Sequence, residues 1–444
     1  MPDRETDGKA TTGQVATDAA SKHQRFLFPC VTTYYDKPLT IVRGQGMHLF
    51  DETGKQYLDC FGGVLTVSVG HCHPEITEAI VRQVQTLVHT STLYVTPALS
   101  DLAEAVAQVL PGDLDRLFFS NSGTEADETA VLLARVHTGN QEVLVLRYGY
   151  SGRSMMALAA AGQAPWRQIG TQVPGFVHAV APYCYRCPLK LTYPSCEVAC
   201  AKDVEEVIQT TTSGRVAGIL AEVVIGSGGF IVPPKEYFEI VAGLVRKAGG
   251  LFIADEVQTG WGRTGKMFGI EHYGVTPDVM TFAKGMANGS PIGCTATTGK
   301  IAAALRPLSF ATFGGNPVTS AAALATLRVI QKQKLADNAR LQGDHLHAGL
   351  LELQRKYPII GDVRGIGLMQ GAELVGPGKT PDPKAVSAVL EGTRRRGVLI
   401  GKGGLWGNVL RVAPPMTISR TEVDELLTAL DGAFAEATGK PGRA

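Results

Sequence analysis

Three groups with catalytic potential follow directly after short apolar segments of the chain. They are Asp255 after Leu251–Ala254, Lys284 after Val279–Ala283, and residues 121–124 (Asn-Ser-Gly-Thr) after Arg116–Ser120. In an open parallel sheet, ligands bind beyond the carboxyl ends of the strands. We therefore expect a carboxylate, an amine and the backbone amides of a helix amino terminus to lie at one edge of a sheet.

Each of these groups alone has a simpler explanation. A lysine after a strand usually extends into water, and an aspartate or Ser-Gly-Thr there often only caps a helix, although free N–H groups at a helix start also bind anions. The combination is more specific, because pyridoxal 5′-phosphate needs a lysine that carries its aldehyde as an imine, a carboxylate that keeps its ring nitrogen protonated, and a phosphate site. The sequence thus indicates a pyridoxal-phosphate site that includes Lys284 and Asp255.

The segments around these residues alternate between strand and helix patterns. The predicted strands are uniformly apolar, as is typical of parallel strands covered on both faces: Arg116–Ser120, Glu142–Leu146, Val216–Val223, Leu251–Ala254 and Val279–Ala283. Helices are predicted between them, for example at Glu125–His137 and Lys235–Lys247. This alternation predicts a doubly wound α/β domain.

The regions on either side of this domain have other patterns. Met47–Leu58 predicts a hairpin of two strands, and Val318–Lys334 predicts a long helix that leads to short strands at Gly367–Glu373 and Val409–Val412. We predict four regions: a poorly ordered tail over 1–24, an N-terminal segment over 25–70 that packs with the small domain, a large cofactor-binding domain over 71–325, and a small C-terminal α+β domain over 326–444.

Composition and charge narrow the class of protein. The 444 residues contain 42 lysines and arginines against 41 aspartates and glutamates, and a nucleic-acid-binding protein normally has a basic excess. No apolar segment approaches the length of a membrane span. Acidic residues occur at positions 3, 5, 7 and 18, which is unlike a transit peptide. We therefore expect a cytoplasmic enzyme with neither nucleic acid nor membrane as a partner.

Four of the eight cysteines lie close together in the sequence, at Cys184, Cys187, Cys196 and Cys200. Four thiolates on a short loop can form a tetrahedral zinc site, although the second pair departs from the usual C-x2-C spacing. The alternative is a loop with reduced, partly buried thiols. We favour this alternative and predict no metal site, and metal analysis of the purified protein by mass spectrometry distinguishes the two.

Nine stretches spread over roughly residues 30–436 form a specific pattern: FDETGKQYLD, GHCHPEI, NSGTEA, YSGRS, ADEVQTGWGRTG, TFAKGMANGSPIG, TFGGNP, GDVRGIGL and LRVAPP. In these stretches the chain resembles class III aminotransferases, which are fold type I pyridoxal-phosphate enzymes. The segments GGVLTVSVGHCHP, GDVRGIGLM and VLIGKGG, with the cysteine-bearing insert, are most similar to the alanine–glyoxylate aminotransferase branch. The resemblance implies a large domain with a mostly parallel seven-stranded sheet and a smaller α+β domain.

The resemblance also implies a role for each matching residue. Lys284 matches the lysine of the internal aldimine, which is also the base for the 1,3-proton shift once it is freed, and Asp255 matches the partner of the pyridinium nitrogen. The other cofactor-binding residues that it implies are Gly123 and Thr124 at the phosphate, Tyr150 and Val257 on the two faces of the ring, and Gln258 at the 3-oxygen.

Two further matches concern the substrate and the partner subunit. Thr312 matches the residue that reaches the phosphate from the neighbouring subunit, which implies a homodimer with a shared active site. Arg411 matches the arginine that binds the substrate carboxylate, since a planar guanidinium can make two parallel hydrogen bonds to it. Many family members also have a glutamate that pairs with this arginine when non-acidic substrates enter, and this chain has Ser227 in its place.

Without that glutamate, we expect Arg411 to stay free for a carboxylate in both half-reactions. The resulting hypothesis is ping-pong transamination from an amino acid or an ω-amine, as in an omega-transaminase, to a small keto acid such as pyruvate or glyoxylate. The alternative on the same scaffold is a lyase that eliminates phosphate from amino-alcohol phosphates, or an amino-acid racemase.

Overall fold

The computed structural model describes residues 12–168 and 173–439, and three sheets organise this part of the chain. The strands are β1 Ile41–Gln45, β2 His48–Asp51, β3 Gln56–Asp59, β4 Arg116–Ser120, β5 Val143–Leu146, β6 Phe176–Ala179, β7 Gly218–Glu222, β8 Leu251–Asp255, β9 Val279–Phe282, β10 Gly293–Thr297, β11 Ile360–Ile366, β12 Met369–Leu374, β13 Val398–Leu399, β14 Gly401–Gly403 and β15 Val409–Val412. The helices are α1 Thr12–Phe26, α2 Gly62–Leu65, α3 Pro74–Thr86, α4 Pro97–Ala107, α5 Gly123–Thr138, α6 Met155–Ala160, α7 Ala199–Thr211, α8 Tyr237–Lys247, α9 Gly299–Ala302, α10 Pro317–Lys332, α11 Leu335–Lys356, α12 Pro383–Arg395 and α13 Arg420–Thr438.

The largest sheet has seven strands in the order β4-β10-β9-β8-β7-β5-β6. The pairs from β9 to β6 are parallel, whereas β10 is antiparallel to both β9 and β4. The prediction of a mostly parallel seven-stranded sheet is therefore confirmed. One detail is different: the segment Arg116–Ser120 is an edge strand with an antiparallel neighbour, because β10 inserts between it and β9.

Side-chain alternation in the parallel strands decides which residues lie together. One face of this sheet packs against α5 through Leu220, Ile253 and Val279. Side chains two positions apart lie on the same face of a strand, so Glu222, Asp255 and Thr281 also face α5 at the carboxyl ends of their strands. The register pairs Asp255 with Glu222 on one side and with Thr281 on the other.

Two smaller sheets flank the large one. The hairpin predicted over Met47–Leu58 is confirmed as β2 and β3, which pair in antiparallel fashion, and β13 from the C-terminal part of the chain adds to β3 in parallel. The other small sheet has the order β11-β12-β15-β14 with antiparallel pairs and carries Arg411 on β15. The C-terminal segment therefore supplies the expected α+β unit, and its strand β15 brings Arg411 toward the large sheet.

The N-terminal segment differs from the expected disordered tail over 1–24. Residues 12–26 form the helix α1, whereas residues 1–11 lie outside the described residues. The polarity of the segment suggested disorder, but residues 12–26 contain three alanines and no proline, and alanine has the highest helix propensity. Across 12–168 and 173–439, none of the helices has both the length and the apolar content that a membrane crossing requires.

Candidate active site

Lys284 lies two positions after the last residue of β9, Phe282, and begins a short 3-10 turn. Its φ is 44°, a left-handed conformation that non-glycine residues rarely adopt and that is frequent at functional sites. Burial lowers the pKa of the Lys284 amine below its usual value, although Asp255 and Glu222 oppose this shift. Because a neutral amine attacks an aldehyde and an ammonium does not, the environment favours the nucleophilic form of this lysine.

Asp255 is the last residue of β8, and its side chain is buried with 5% of its surface exposed. Its Oδ1 atom accepts a hydrogen bond of 2.9 Å from the N–H of Val257. Burial raises the pKa of Asp255 to about 6, and the Val257 N–H and Lys284 limit the increase. The carboxylate is thus ionised at neutral pH, and a cationic ring nitrogen beside it would stabilise this form further.

One cavity of about 210 Å³ brings these two residues together with most of the other predicted site residues. Its walls include seven of them: Gly123, Thr124, Tyr150, Asp255, Val257, Gln258 and Lys284. The carboxyl ends of β8 and β9 and the amino terminus of α5 meet there, as expected for an open α/β sheet.

The amino terminus of α5 forms one end of this cavity. Ser122 caps the helix by accepting a hydrogen bond of 3.2 Å from the N–H of Glu125. The N–H groups of the first helical residues have no partner within the helix, so those of Gly123 and Thr124 are suited to bind an anion. The neighbouring loop approaches closely, because a Cβ atom at Gly152 would lie 2.0 Å from Oγ1 of Thr124. This cradle fits a phosphate group.

Tyr150 lies on one wall of the cavity and is held by two contacts. Its N–H donates a hydrogen bond of 2.8 Å to Oε1 of Glu222, and its ring contacts that of Trp166 with centroids 5.0 Å apart. Oε2 of Glu222 accepts a second bond of 2.8 Å from the N–H of Gly226. Burial, together with the nearby Asp255, raises the pKa of Glu222 to about 8. Glu222 therefore fixes the backbone of two loops that border the cavity.

Arg411 is buried, with 5% of its surface exposed, and its guanidinium carbon lies 5.1 Å and 4.5 Å from the ring centroids of Phe61 and Phe230. Its Nη2 donates a hydrogen bond of 2.9 Å to Oε1 of Gln258, which is a neutral amide. Its Nε is buried without a hydrogen-bond partner, and no ion pair joins it to a carboxylate of the described residues. Burial lowers its pKa to about 10, so it remains cationic and suited to bind a carboxylate.

Thr312 lies on an exposed loop and does not line the cavity of its own chain. The surrounding surface is apolar: Leu308 is 93% exposed and Phe313 is 61% exposed. The structure of one chain thus brings Arg411 to the cofactor cavity through Gln258 but leaves Thr312 apart from it.

Asp127 is a site residue that sequence reasoning missed. It lines the same cavity, and its side chain is only 1% exposed. A signal was present in the sequence, because residues four apart share one face of a helix and Asp127 follows Gly123 by four positions. The same cavity also contacts Ser151, Arg153 and Ala283.

The four clustered cysteines are all free thiols. Burial and the proximity of the other three thiols raise the pKa of Cys200 to about 12, and burial also raises the pKa of Cys184. Within the described ranges, no set of three or more His, Cys, Asp or Glu side chains is arranged to hold a metal ion.

Comparison with known proteins gives consistent results. The family model of class-III aminotransferases matches residues 31–434. A protein of Arabidopsis thaliana named alanine–glyoxylate aminotransferase 2 homolog 2, mitochondrial, is 43% identical over 423 residues, which cover 95% of this chain and 88% of that protein.

Two solved structures are similar over nearly their whole length. An amine transaminase from an uncultivated Pseudomonas species, in its PLP-bound internal aldimine form, has a TM-score of 0.88 at 33% identity and covers 93% of this chain and 99% of that one. A phospholyase from Arthrobacter in complex with phosphoethanolamine has a TM-score of 0.87 at 33% identity and covers 94% of this chain and 99% of that one.

Proposed function

Because the chain belongs to the class-III aminotransferases and uses pyridoxal phosphate, we propose that it moves an amino group from an amino acid or ω-amine to a small keto acid, pyruvate or glyoxylate. The observation that carries this proposal is Arg411, a buried cation whose hydrogen-bond partner is the neutral amide of Gln258. It lies beside a cavity that contains Lys284 and Asp255.

The residues of the cavity have complementary tasks in this reaction. The bound cofactor supplies a ring that accepts the electron pair of the donor carbon when that carbon loses its proton. Lys284 would hold the cofactor covalently and, once displaced by the donor amine, would carry that proton on its Nζ. Asp255 would keep the ring nitrogen protonated, and the N–H groups of Gly123 and Thr124 would bind the phosphate.

The choice of a carboxylate substrate follows from the surroundings of Arg411. Ser227 stands where many family members have a glutamate, and its Oγ accepts a hydrogen bond of 2.9 Å from Nε2 of Gln163. Within residues 12–168 and 173–439, no carboxylate forms an ion pair that would neutralise Arg411 when a substrate without a carboxylate enters. A carboxylate relieves the buried positive charge and supplies an acceptor for the unpaired Nε–H, so Arg411 favours the keto acid as acceptor and, among donors, amino acids over amines that lack a carboxylate.

We further propose that the enzyme is a homodimer in which Thr312 completes the cavity of the neighbouring subunit. Support comes from an apolar patch formed by segments 88–95 and 308–313, which meet where the rings of His89 and Phe313 lie 5.2 Å apart. Within it, Val95 is 92% exposed and Tyr94 is 69% exposed. Contiguous exposed apolar surface of this kind is typical of protein–protein interfaces.

A lyase that eliminates phosphate from an amino-alcohol phosphate is the second candidate. It is supported by the similarity to the Arthrobacter phospholyase, whose structure contains phosphoethanolamine. Such a reaction requires no keto acid, whereas transamination without one stops after the first half-reaction.

A half-reaction assay tests the proposal. We expect an amino-acid donor to remove the visible absorbance of the lysine-bound cofactor, and pyruvate or glyoxylate to restore it. Lys284→Ala should lack both the absorbance and turnover. Continuous release of phosphate from ethanolamine phosphate without a keto acid would identify the lyase instead. Conversion of one enantiomer of an amino acid into a mixture of both, with no other change, would identify the racemase.

Two further assignments remain proposals. The domain boundaries at residues 70 and 325 are supported by the separate sheets, and limited proteolysis tests them. The cytoplasmic location expected from the sequence stays a proposal, and the Arabidopsis relative is named as mitochondrial. Fluorescence microscopy of the tagged protein in its native cell tests this location.

A further inference from the structure

A second carboxyl group, that of Asp127, is buried in the cavity beside Asp255. We propose that Asp127 is a positioning residue: a protonated, neutral carboxyl group that holds Asp255 in place against the cofactor ring. The inference rests on the proposed use of Asp255 as the partner of the ring nitrogen, but it is independent of which amino donor or reaction follows.

The position of Asp127 follows from the packing of α5 on the sheet. Oδ1 of Asp127 accepts a hydrogen bond of 2.7 Å from Oγ1 of Thr281. Thr281 is the register partner of Asp255 on the adjacent parallel strand, so both side chains lie on the face that α5 covers. Asp127 and Asp255 both line the cavity. The helix thus brings the Asp127 carboxyl group over the end of β9, next to the strand end that carries Asp255.

The charges around Asp127 explain why it keeps its proton. The groups that face it are Asp255 and Glu222 from β8 and β7, Thr281 from β9, and Lys284 after β9. Burial, followed by the charge of Asp255, raises the pKa of Asp127 well above its usual value, and the Thr281 hydroxyl and Lys284 only partly oppose this. Ionising both of two adjacent buried carboxyl groups is unfavourable in free energy, because it places two negative charges close together. The pair therefore binds one proton between them.

The division of roles within the pair follows from the cofactor. Asp255 must be ionised to hold the protonated ring nitrogen, so the shared proton belongs to Asp127. A protonated carboxyl group has one O–H donor and remaining acceptor capacity. Asp127 can therefore accept from Thr281 and donate to Asp255 at the same time, which would restrain the rotation of Asp255 without adding a second negative charge to the cavity.

Two substitutions separate this role from a general structural one. Asp127→Asn keeps a neutral hydrogen-bond donor of the same shape, whereas Asp127→Ala removes it. We expect the Asn variant to bind pyridoxal phosphate with wild-type affinity, and the Ala variant to bind it at least about tenfold more weakly, as for the loss of one hydrogen bond to a charged group. An Asn variant that binds as weakly as the Ala variant would overturn the proposal.

Infrared spectroscopy of the cofactor-loaded protein measures the proton directly. The difference spectrum between wild type and Asp127→Asn at neutral pH should contain the C=O stretch of a protonated carboxyl group, and finding carboxylate bands instead would contradict the proposal. If Asp127→Ala does not fold, the infrared result and the affinity of the Asn variant still decide. Neither measurement uses a substrate, so a failure here is distinct from a failure of the proposed transamination.

Discussion

Nη2 of Arg411 donates a hydrogen bond of 2.9 Å to Oε1 of Gln258, and this contact joins the arginine proposed to bind the substrate to the wall of the cavity. The amide of Gln258 lies against the backbone of Gly226, where an added Cβ would be 2.3 Å from its Nε2. The amide is therefore confined, and it accepts a hydrogen bond from the arginine without neutralising the positive charge. An incoming carboxylate competes with a neutral partner rather than with an acid.

Gln258→Glu should weaken binding of the keto acid. The new carboxylate would pair with Arg411 in a buried site, and a hydrogen bond between charged groups is stronger than one to a neutral amide by roughly 1–2 kcal/mol. We expect the KM for pyruvate or glyoxylate to rise at least about tenfold, with a smaller effect on kcat. Gln258→Asn shortens the side chain without adding charge and serves as the control. An unchanged acceptor KM in the Glu variant would show that Arg411 does not bind the acceptor.

Gly152→Ala should lower the affinity for the cofactor. The backbone at Gly152 has a φ of 124°, and the added methyl group would lie 2.0 Å from Oγ1 of Thr124, so the helix start proposed to bind the phosphate must move. We expect at least about a tenfold weaker affinity, which corresponds to the loss of one charge-assisted hydrogen bond. A titration of the apoprotein with pyridoxal phosphate measures it.

Gly243→Ala is the matched control for this substitution. Gly243 lies on the exposed side of α8, and an added Cβ would meet no atom within 4 Å. This variant should bind the cofactor like wild type and be slightly more stable, by up to about 1 kcal/mol, because alanine favours a helix more than glycine does. Equal cofactor affinities of the two variants would argue against a phosphate at Thr124.

The residues that follow strands directly were predictable from the sequence alone. Asp255 and Lys284 each come at the end of an apolar strand, and the carboxyl ends of parallel strands meet at one edge of a sheet. Asp127 was missed because its importance arises only when α5 packs over β9 and brings it to Thr281. The pairing of Arg411 with Gln258 was also hidden, since the two are 153 positions apart in the sequence.

The strand β10 was not predicted from the sequence either, for a similar reason. The strand β10, with the sequence GCTAT, lacks the long apolar run that marks its neighbours, yet all of its residues are buried. Its position between β9 and β4 is fixed by tertiary pairing, which propensity alone does not specify. Consequently the apolar pattern of β4 predicted a strand correctly but gave no information about the direction of its neighbour.

Glu222→Gln should change how the stability of the cofactor-free protein depends on pH. Burial and Asp255 raise the pKa of Glu222 to about 8, so between its unfolded pKa, about 4.3, and about pH 8 the folded state holds a proton that the unfolded state has lost. Wild type should therefore lose stability relative to the Gln variant as pH rises through this window, by at most about 1.4 kcal/mol per pH unit.

Denaturant unfolding of both proteins at several pH values measures this difference. The Gln variant loses one acceptor for the N–H groups of Tyr150 and Gly226, but that cost is independent of pH, so only the slope of the difference is informative. Glu352→Gln, at an exposed glutamate, provides the control. Its difference from wild type in the free energy of unfolding should not change with pH. If the difference for Glu222→Gln is independent of pH as well, Glu222 ionises normally in the folded protein.

Thr312→Glu tests whether the active site is shared between subunits. A carboxylate at the phosphate would repel it, so this variant on its own should lose most of its affinity for pyridoxal phosphate. Its turnover at subsaturating cofactor should fall accordingly. The exposed position of Thr312 on the apolar patch predicts that this repulsion acts on the neighbouring subunit's cavity. Subunits that carry Thr312→Glu can therefore be combined with subunits that carry Lys284→Ala, with a different affinity tag on each.

In the mixed dimer, one cavity contains Lys284 from the first subunit and an unaltered Thr312 from the second, while the other cavity carries both changes. If the site is shared, tandem-purified mixed dimers regain roughly half of the wild-type turnover, because a twofold dimer has two equivalent cavities. If Thr312 acts within its own chain, each cavity carries one inactivating change and the mixed dimer stays inactive. Full affinity for the cofactor in the Thr312→Glu homodimer would remove Thr312 from the phosphate site altogether.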